Sequence, residues 1–165
     1  MLRSVDDYSN RQLYKLLVYT LEMTILYLIC GIPGSGKTTL AHELAEQHKA
    51  KIHSYDDIPN ARRNLDKDWK IRNQWIEAMN ADLLDGYSVV CDSTNLTSES
   101  RKWITERLVP CKKVLIVKAV PLEVCLQRNK GREYEVPEHQ IKMAVQAMEA
   151  PTKDEGWDAI YLSRE

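Results

Sequence analysis

An α/β domain, with a parallel sheet covered by helices on both faces, is the fold class this sequence predicts. Two observations carry it. Apolar runs of strand length (Ile25–Cys30, Tyr87–Cys91 and Val114–Val120) alternate with stretches whose apolar residues recur at helical spacing. The chain has 165 residues, 44% apolar and 28% charged, which is the size and composition of one globular domain. Right-handed crossovers between parallel strands then fix most of the topology.

The elements follow in order. Leu13, Leu16, Leu17 and Leu21 suggest a short amphipathic helix in an N-terminal extension over residues 1–23, and the domain proper is expected over 24–165. Ile25–Cys30 reads as a buried strand, because it is apolar on every residue. Leu40, Ala41, Leu44 and Ala45 mark the first crossover helix, and a weak strand follows near Lys51–Ser54. Trp75, Ile76, Met79, Leu83 and Leu84 mark a long helix that Gly86 can stop. Trp103, Ile104 and Leu108 mark the next, with Glu99 suited to its first turn. Pro121 and Pro137 are expected at the first helical position of two further helices, carried by Leu122, Cys125 and Leu126 and by Ile141, Ala144, Val145 and Met148. Ala159–Leu162 closes the list as a last strand.

Charge and cysteine content narrow the classes. The net charge is −1, so no global basic field draws the chain to nucleic acid or membrane, and any nucleic-acid contact must be a local patch. Cys30, Cys91, Cys111 and Cys125 form no C-x-x-C pair and no zinc-like cluster. Cys30, Cys91 and Cys125 sit inside apolar segments, and the four read as buried, reduced thiols of a cytoplasmic protein. No apolar run approaches the roughly 18 residues of a membrane span. Early Arg3, Asp6 and Asp7 with no apolar core behind them do not make a signal peptide.

The strongest signal is Gly31-Ile32-Pro33-Gly34-Ser35-Gly36-Lys37-Thr38, followed by Thr39. It fits G-x-x-x-x-G-K-[ST], with an apolar strand before it and a helical pattern after it. The chemistry explains each residue type. Glycines admit positive φ and let backbone N–H groups approach an anion. The following helix adds its positive end. Lys37 can reach β- and γ-phosphate oxygens, and the Thr38 hydroxyl can ligate Mg²⁺. ATP is the expected nucleotide, since no N-K-x-D guanine-reading signature is present.

The rest of the chain bears on the phosphoryl acceptor. Ser54-Tyr55-Asp56-Asp57 follows the second strand, at the carboxyl end of the sheet where ligands bind. One of the two carboxylates, Asp56 by preference, is placed to take the proton of an acceptor hydroxyl; otherwise it caps the next turn. Asp92, in Cys91-Asp92-Ser93-Thr94-Asn95, ends the next strand where a carboxylate holds Mg²⁺, directly or through water. Thr94 and Asn95 would orient that carboxylate or touch the acceptor. Arg128, Lys130 and Arg132 fall between two expected helices with Gly131 among them. They read either as a solvated face or as a closing lid whose arginines neutralise charge on the transferring group.

Together these residues resemble the P-loop kinase domain of phage-type polynucleotide 5′-kinases and their AAA_33-like relatives, from about Thr24 to Leu162. The resemblance rests on the loop with its proline before the second glycine, on Asp92-Ser93-Thr94-Asn95-Leu96 with Arg101 in the helix beyond, and on Arg128-Asn129, Arg132 and Val136-Pro137 leading to Ile141 and Met143. It implies a three-layer fold with a five-stranded parallel sheet of order 2-3-1-4-5 and a small lid near 128–137. It also implies ATP and Mg²⁺, and transfer of the γ-phosphate to a hydroxyl, such as a nucleic-acid 5′ end. Asp56 matches the acceptor-activating aspartate, and Arg128 and Arg132 match lid arginines. There are departures. Pro59 stands where the phage-type enzyme has an arginine, and Arg62 or Arg63 from a longer loop would have to replace it. Asp92 sits one place earlier than in that enzyme, as in relatives that act on small molecules, aminoacyl-tRNA or sugar nucleotides. Arg62, Arg63, Lys67, Lys70 and Arg72 offer a local basic stretch near the expected acceptor side, diluted by Asp57, Asp66 and Asp68; the other reading is a solvated helix face.

Overall fold

The computed structural model describes residues 5–55 and 69–164. Helix α1 spans Val5–Met23, and strand β1 (Ile25–Cys30) runs into the glycine-rich loop. Then come α2 (Lys37–His48), β2 (Lys51–Ser54), α3 (Trp69–Leu84), β3 (Val89–Asp92) and α4 (Ser98–Thr105). The last elements are β4 (Lys112–Lys118), α5 (Leu122–Asn129), α6 (Glu138–Ala147), a 3-10 turn at Lys153–Glu155 and β5 (Ala159–Ser163). The sheet has five parallel strands in the order β2-β3-β1-β4-β5.

Strand periodicity builds the layers. Leu26, Leu28 and Cys30 of β1, with Val89, Cys91, Leu115 and Val117 beside them, pack on Trp75, Ile76, Met79 and Leu83 of α3 and on Ile104 of α4. The alternate residues Tyr27, Ile29, Val90 and Ile116 pack on Ala41 of α2. A smaller cluster of Ile32, Cys125 and Ile141 seats α5 and α6 beneath the glycine-rich loop. The cysteines are free, and Cys30, Cys91 and Cys125 are buried. Burial pushes all three thiols above their ordinary value, so they stay protonated and inert.

The details differ from the sequence reading at three places. Pro121 and Pro137 are N-caps, one residue ahead of their helices; ψ values of 143° and 134° hold them extended. Arg128 lies inside the last turn of α5, not beyond it. In α1, Leu13, Leu16 and Leu17 face solvent. No helix among the described residues is long and apolar enough to cross a membrane.

Candidate active site

The glycine-rich loop is shaped by its own composition. Gly34 and Gly36 adopt φ of 83° and 88°, the left-handed region that L side chains avoid. Gly36 is also the N-cap of α2, so the first-turn N–H groups of that helix face the loop. A Cβ on Gly34 would collide with the backbone carbonyl of Cys125, because α5 packs directly on the loop. Gly34→Ala is therefore expected to weaken ATP binding at least about tenfold and to cost about 1–2 kcal/mol from the backbone alone. Calorimetric titration with ATP and thermal melts check both.

Lys37 Nζ donates to the Ile32 carbonyl at 2.9 Å, which folds the ammonium back over the loop. The Thr38 hydroxyl donates to Asp92 Oδ2 at 2.8 Å. This joins the first turn of α2 to the last residue of β3, adjacent strands' ends in the sheet order. A hydroxyl and one carboxylate make a hard, oxygen-only donor pair, which suits Mg²⁺ shared with phosphate oxygens. No group of three or more His, Cys, Asp or Glu side chains able to cage a metal occurs among the described residues. Ser35 is fully buried under the loop, and its hydroxyl has no hydrogen-bond partner there.

The carboxylate's loop is sewn to β1. Gly31 N donates to the Thr94 carbonyl at 3.0 Å. Asn95, at φ 47°, donates from Nδ2 to the Ile29 carbonyl at 2.8 Å. Asn95 thus orients the turn and is buried where the turn meets the cleft, whereas Thr94 is exposed on the cleft wall. Arg101, fully buried in α4, locks the same turn from behind. Its Nη1 donates to the carbonyls of Asn95, Leu96 and Glu149. Its Nε and Nη2 grip both oxygens of Glu155 at 2.7 and 2.8 Å. The Arg101 guanidinium, helped by the Trp157 indole N–H and the Thr152 amide, holds the Glu155 carboxyl down at about 2 against the pull of burial.

Arg128 and Arg132 both line the cleft. Nη1 of Arg128 lies 3.8 Å from where a Cβ of Gly36 would stand. The loop bearing Arg132 is pinched at its base by Asn129, whose side chain donates to the Val136 carbonyl (2.8 Å) and accepts from the Val136 amide (3.0 Å). Asn129 is a residue that only its place beside the arginines could have flagged. Lys118, buried at the end of β4, brings its Cε to 3.8 Å from the same Gly36 position and bonds Ser163 at 3.1 Å.

The glycine-rich loop, Asp92, Arg128 and Arg132 share one cleft of about 740 Å³. Pro33, Gly34, Gly36, Lys37, Thr38 and Thr39 line one side, with Asp92 between the sides. Gly31 and Ser35 are buried beneath the loop instead. The opposite wall is Tyr55, Arg72, Trp75, Trp103 and Ile104. Sequence reading put Arg72 near the expected acceptor side but did not find Tyr55, Trp75, Trp103 and Ile104 as its neighbours on a wall, because α3 and α4 bring it together from distant segments. Asp56, Asp57, Arg62, Arg63 and Lys67 lie outside the described residues; Tyr55, next to Asp56 in the chain, is in the wall.

A parallel 2-3-1-4-5 sheet whose glycine-rich loop meets a strand-end carboxylate through a threonine defines an ATP-binding P-loop domain of kinase-like fold. The chain belongs to the AAA_33 family, whose AAA domain it matches over residues 26–151. The protein kti12 of Schizosaccharomyces pombe is 25% identical, over 81% of this chain and 54% of that protein. The chain thus spans about half the length of this curated relative. Kti12 of Chaetomium thermophilum, solved with ADP-AlF3, superposes with a TM-score of 0.61 at 19% identity, covering 84% of this chain and 88% of that one. A fungal RNA kinase does so with 0.61 at 17% identity, over 88% and 78%. A gluconokinase from Sinorhizobium meliloti gives 0.62 at 17% identity, over 87% and 83%. At these identities the structural likeness is one of fold.

Proposed function

We propose that the protein is an ATP- and Mg²⁺-dependent kinase that transfers the γ-phosphate to a hydroxyl, the acceptor being a polynucleotide or nucleoside 5′-hydroxyl. The observation that carries this reading is the cleft these residues share. Its loop side offers Lys37, Thr38 and Asp92, and its far wall is aromatic and begins at Tyr55, one residue before Asp56. A P-loop hydrolase needs room only for water; this cleft has room and aromatic surface for an organic acceptor. Mg²⁺ on Thr38 and Asp92 would neutralise charge on the β- and γ-phosphates.

The protein's own groups divide the work. Loop amides and Lys37 hold the triphosphate. Asp56 takes the proton of the acceptor hydroxyl as its oxygen bonds the γ-phosphorus and the bond to the β-phosphate oxygen breaks, releasing ADP. Arg128 and Arg132 reach in from the lid side, where charge on the transferring group needs compensation. The likeness to RNA kinase and gluconokinase folds supports phosphoryl transfer to a hydroxyl without choosing the acceptor.

A second reading is a nucleotide-dependent module with no acceptor. Unlike the RNA kinase and gluconokinase neighbours, the relative found by sequence, kti12, is not named as a kinase, which favours it. The two separate on γ-labelled ATP offered with 5′-hydroxyl DNA, 5′-hydroxyl RNA, nucleosides, tRNA and sugar nucleotides. The kinase reading expects a labelled nucleic acid or nucleoside, and Asp56→Asn losing transfer while ATP binding is retained. Label found only in inorganic phosphate, with Asp56→Asn turning ATP over normally, would leave the module reading standing.

A further inference from the structure

Strand β5 closes the sheet at one edge, and among the described residues no strand pairs with its outer side. Such a strand turns every second backbone N–H and C=O outward, and proteins commonly blunt it with charge or proline. The opposite edge, β2, is blunted in this way by Lys51 and His53 within four residues. β5 carries no charge, proline or glycine over Ala159–Ser163. Its three central side chains stand in solvent, with Ile160 41% exposed, Tyr161 60% and Leu162 58%. Both ends of the strand are fixed. At the start, Asp158 Oδ2 accepts from the Lys113 amide at 2.7 Å. At the end, the Ser163 hydroxyl accepts from Lys118 Nζ at 3.1 Å. The edge is therefore held in register before any partner arrives, which leaves little ordering cost for binding. Charges of opposite sign flank the apolar stretch: Asp158 precedes it and Arg164 follows it. Arg164 makes no ion pair among the described residues.

We propose that β5 pairs antiparallel with β5 of a second copy of this chain, joining the two sheets into one about a two-fold axis at Tyr161. The sequence is self-complementary in that arrangement. Tyr161 faces its own counterpart, Ile160 faces Leu162 of the second copy, and Asp158 faces Arg164 of the second copy. Large apolar residues meet large apolar residues, each charge meets its opposite, and the axis repeats every pair. An in-register parallel pairing would instead set Asp158 against Asp158 and Arg164 against Arg164. A five-residue strand covers little area, so the dimer is weak and depends on concentration. Antiparallel joining also sets the carboxyl ends of the two copies' strands at opposite ends of the shared sheet. Those ends carry the glycine-rich loop and Asp92, so the two clefts open away from each other. The dimer stands whether or not the cleft transfers phosphate.

Sedimentation velocity of the full chain, from about 5 µM to about 500 µM, reads the assembly, and amide hydrogen exchange reads the strand. Wild type is expected to pass from monomer to dimer over this range, with the β5 amides gaining protection as it does. Leu162→Lys puts a charge on the edge and should keep the chain monomeric throughout, with its melting temperature and ATP affinity unchanged. Arg164→Asp and Asp158→Arg each set like charges opposite one another and should weaken the dimer at least about tenfold. An equimolar mixture of those two variants should recover association as a heterodimer, because every pair is again opposite in sign. If Asp158→Arg melts early through loss of the Lys113 bond, Leu162→Lys and Arg164→Asp still decide the question. A wild type that stays monomeric at about 500 µM overturns the proposal, whatever else the edge binds. A dimer that survives Leu162→Lys, or whose β5 amides stay unprotected, places the contact on another surface, such as the exposed leucines of α1, and overturns it too.

Discussion

Lys37→Ala is expected to lower phosphoryl transfer by about a hundred- to a thousand-fold, the usual consequence of removing one preorganised charge from a developing anion. The fold should survive. The ammonium makes a part-buried bond to the Ile32 carbonyl. A hydrogen bond of that kind contributes about 1.5–3 kcal/mol at most, a fraction of the roughly 5–15 kcal/mol that stabilises an ordinary domain. Single-turnover rates with γ-labelled ATP and circular dichroism melts together check the claim. A folded variant with near-normal turnover would show that the loop does not bind the reacting phosphates.

The second large effect is on stability. Arg101→Ala should cost about 3–5 kcal/mol, because it strands the Glu155 carboxylate and leaves three backbone carbonyls without their donor. The pH dependence identifies the cause. Folded Glu155 holds its charge down to about 2, whereas its ordinary value is 4.5. As pH falls, the unfolded chain takes up that proton first. The pair's contribution is therefore complete above about pH 4.5 and lost between there and about pH 2, an increment on the order of 3 kcal/mol. Guanidinium denaturation at pH 7, 5 and 3.5 should show this loss in wild type, and Arg101→Ala should lack the increment already at pH 7. Parallel acid profiles for the two proteins would assign the instability to something other than the pair.

How much of this was legible in the sequence depends on whether a residue's role is local. Gly34, Gly36, Lys37 and Thr38 are readable because one turn of chain supplies the whole phosphate cradle. The position of Asp92 is readable because a strand end in a parallel sheet opens on the cleft, and its bond to Thr38 follows from β1 and β3 being neighbours. The strands came from runs of apolar residues and the five-stranded order from resemblance, and the sheet has that order. Roles made by convergence were not readable. Arg72 and Trp103 lie on different helices and meet only once α3 and α4 settle on the same sheet face. Arg101 looked like a family mark in an amphipathic helix; its three carbonyls and Glu155 come from separate segments. Arg128 was expected beyond a helix end and is inside it, since nothing in a single charge marks a boundary of one residue.

The stitches that tie Gly31 to Thr94 and Asn95 to Ile29 hold the nucleotide loop and its carboxylate to the rigid middle of the sheet. The opposite wall of the cleft stands on α3 and α4, and α4 also carries Arg101, whose bonds to the Asn95 and Leu96 carbonyls hold the carboxylate's turn. A shift of α4 is therefore felt on both walls of the cleft at once, whereas Arg72 and Trp75 on α3 can vary without touching those stitches.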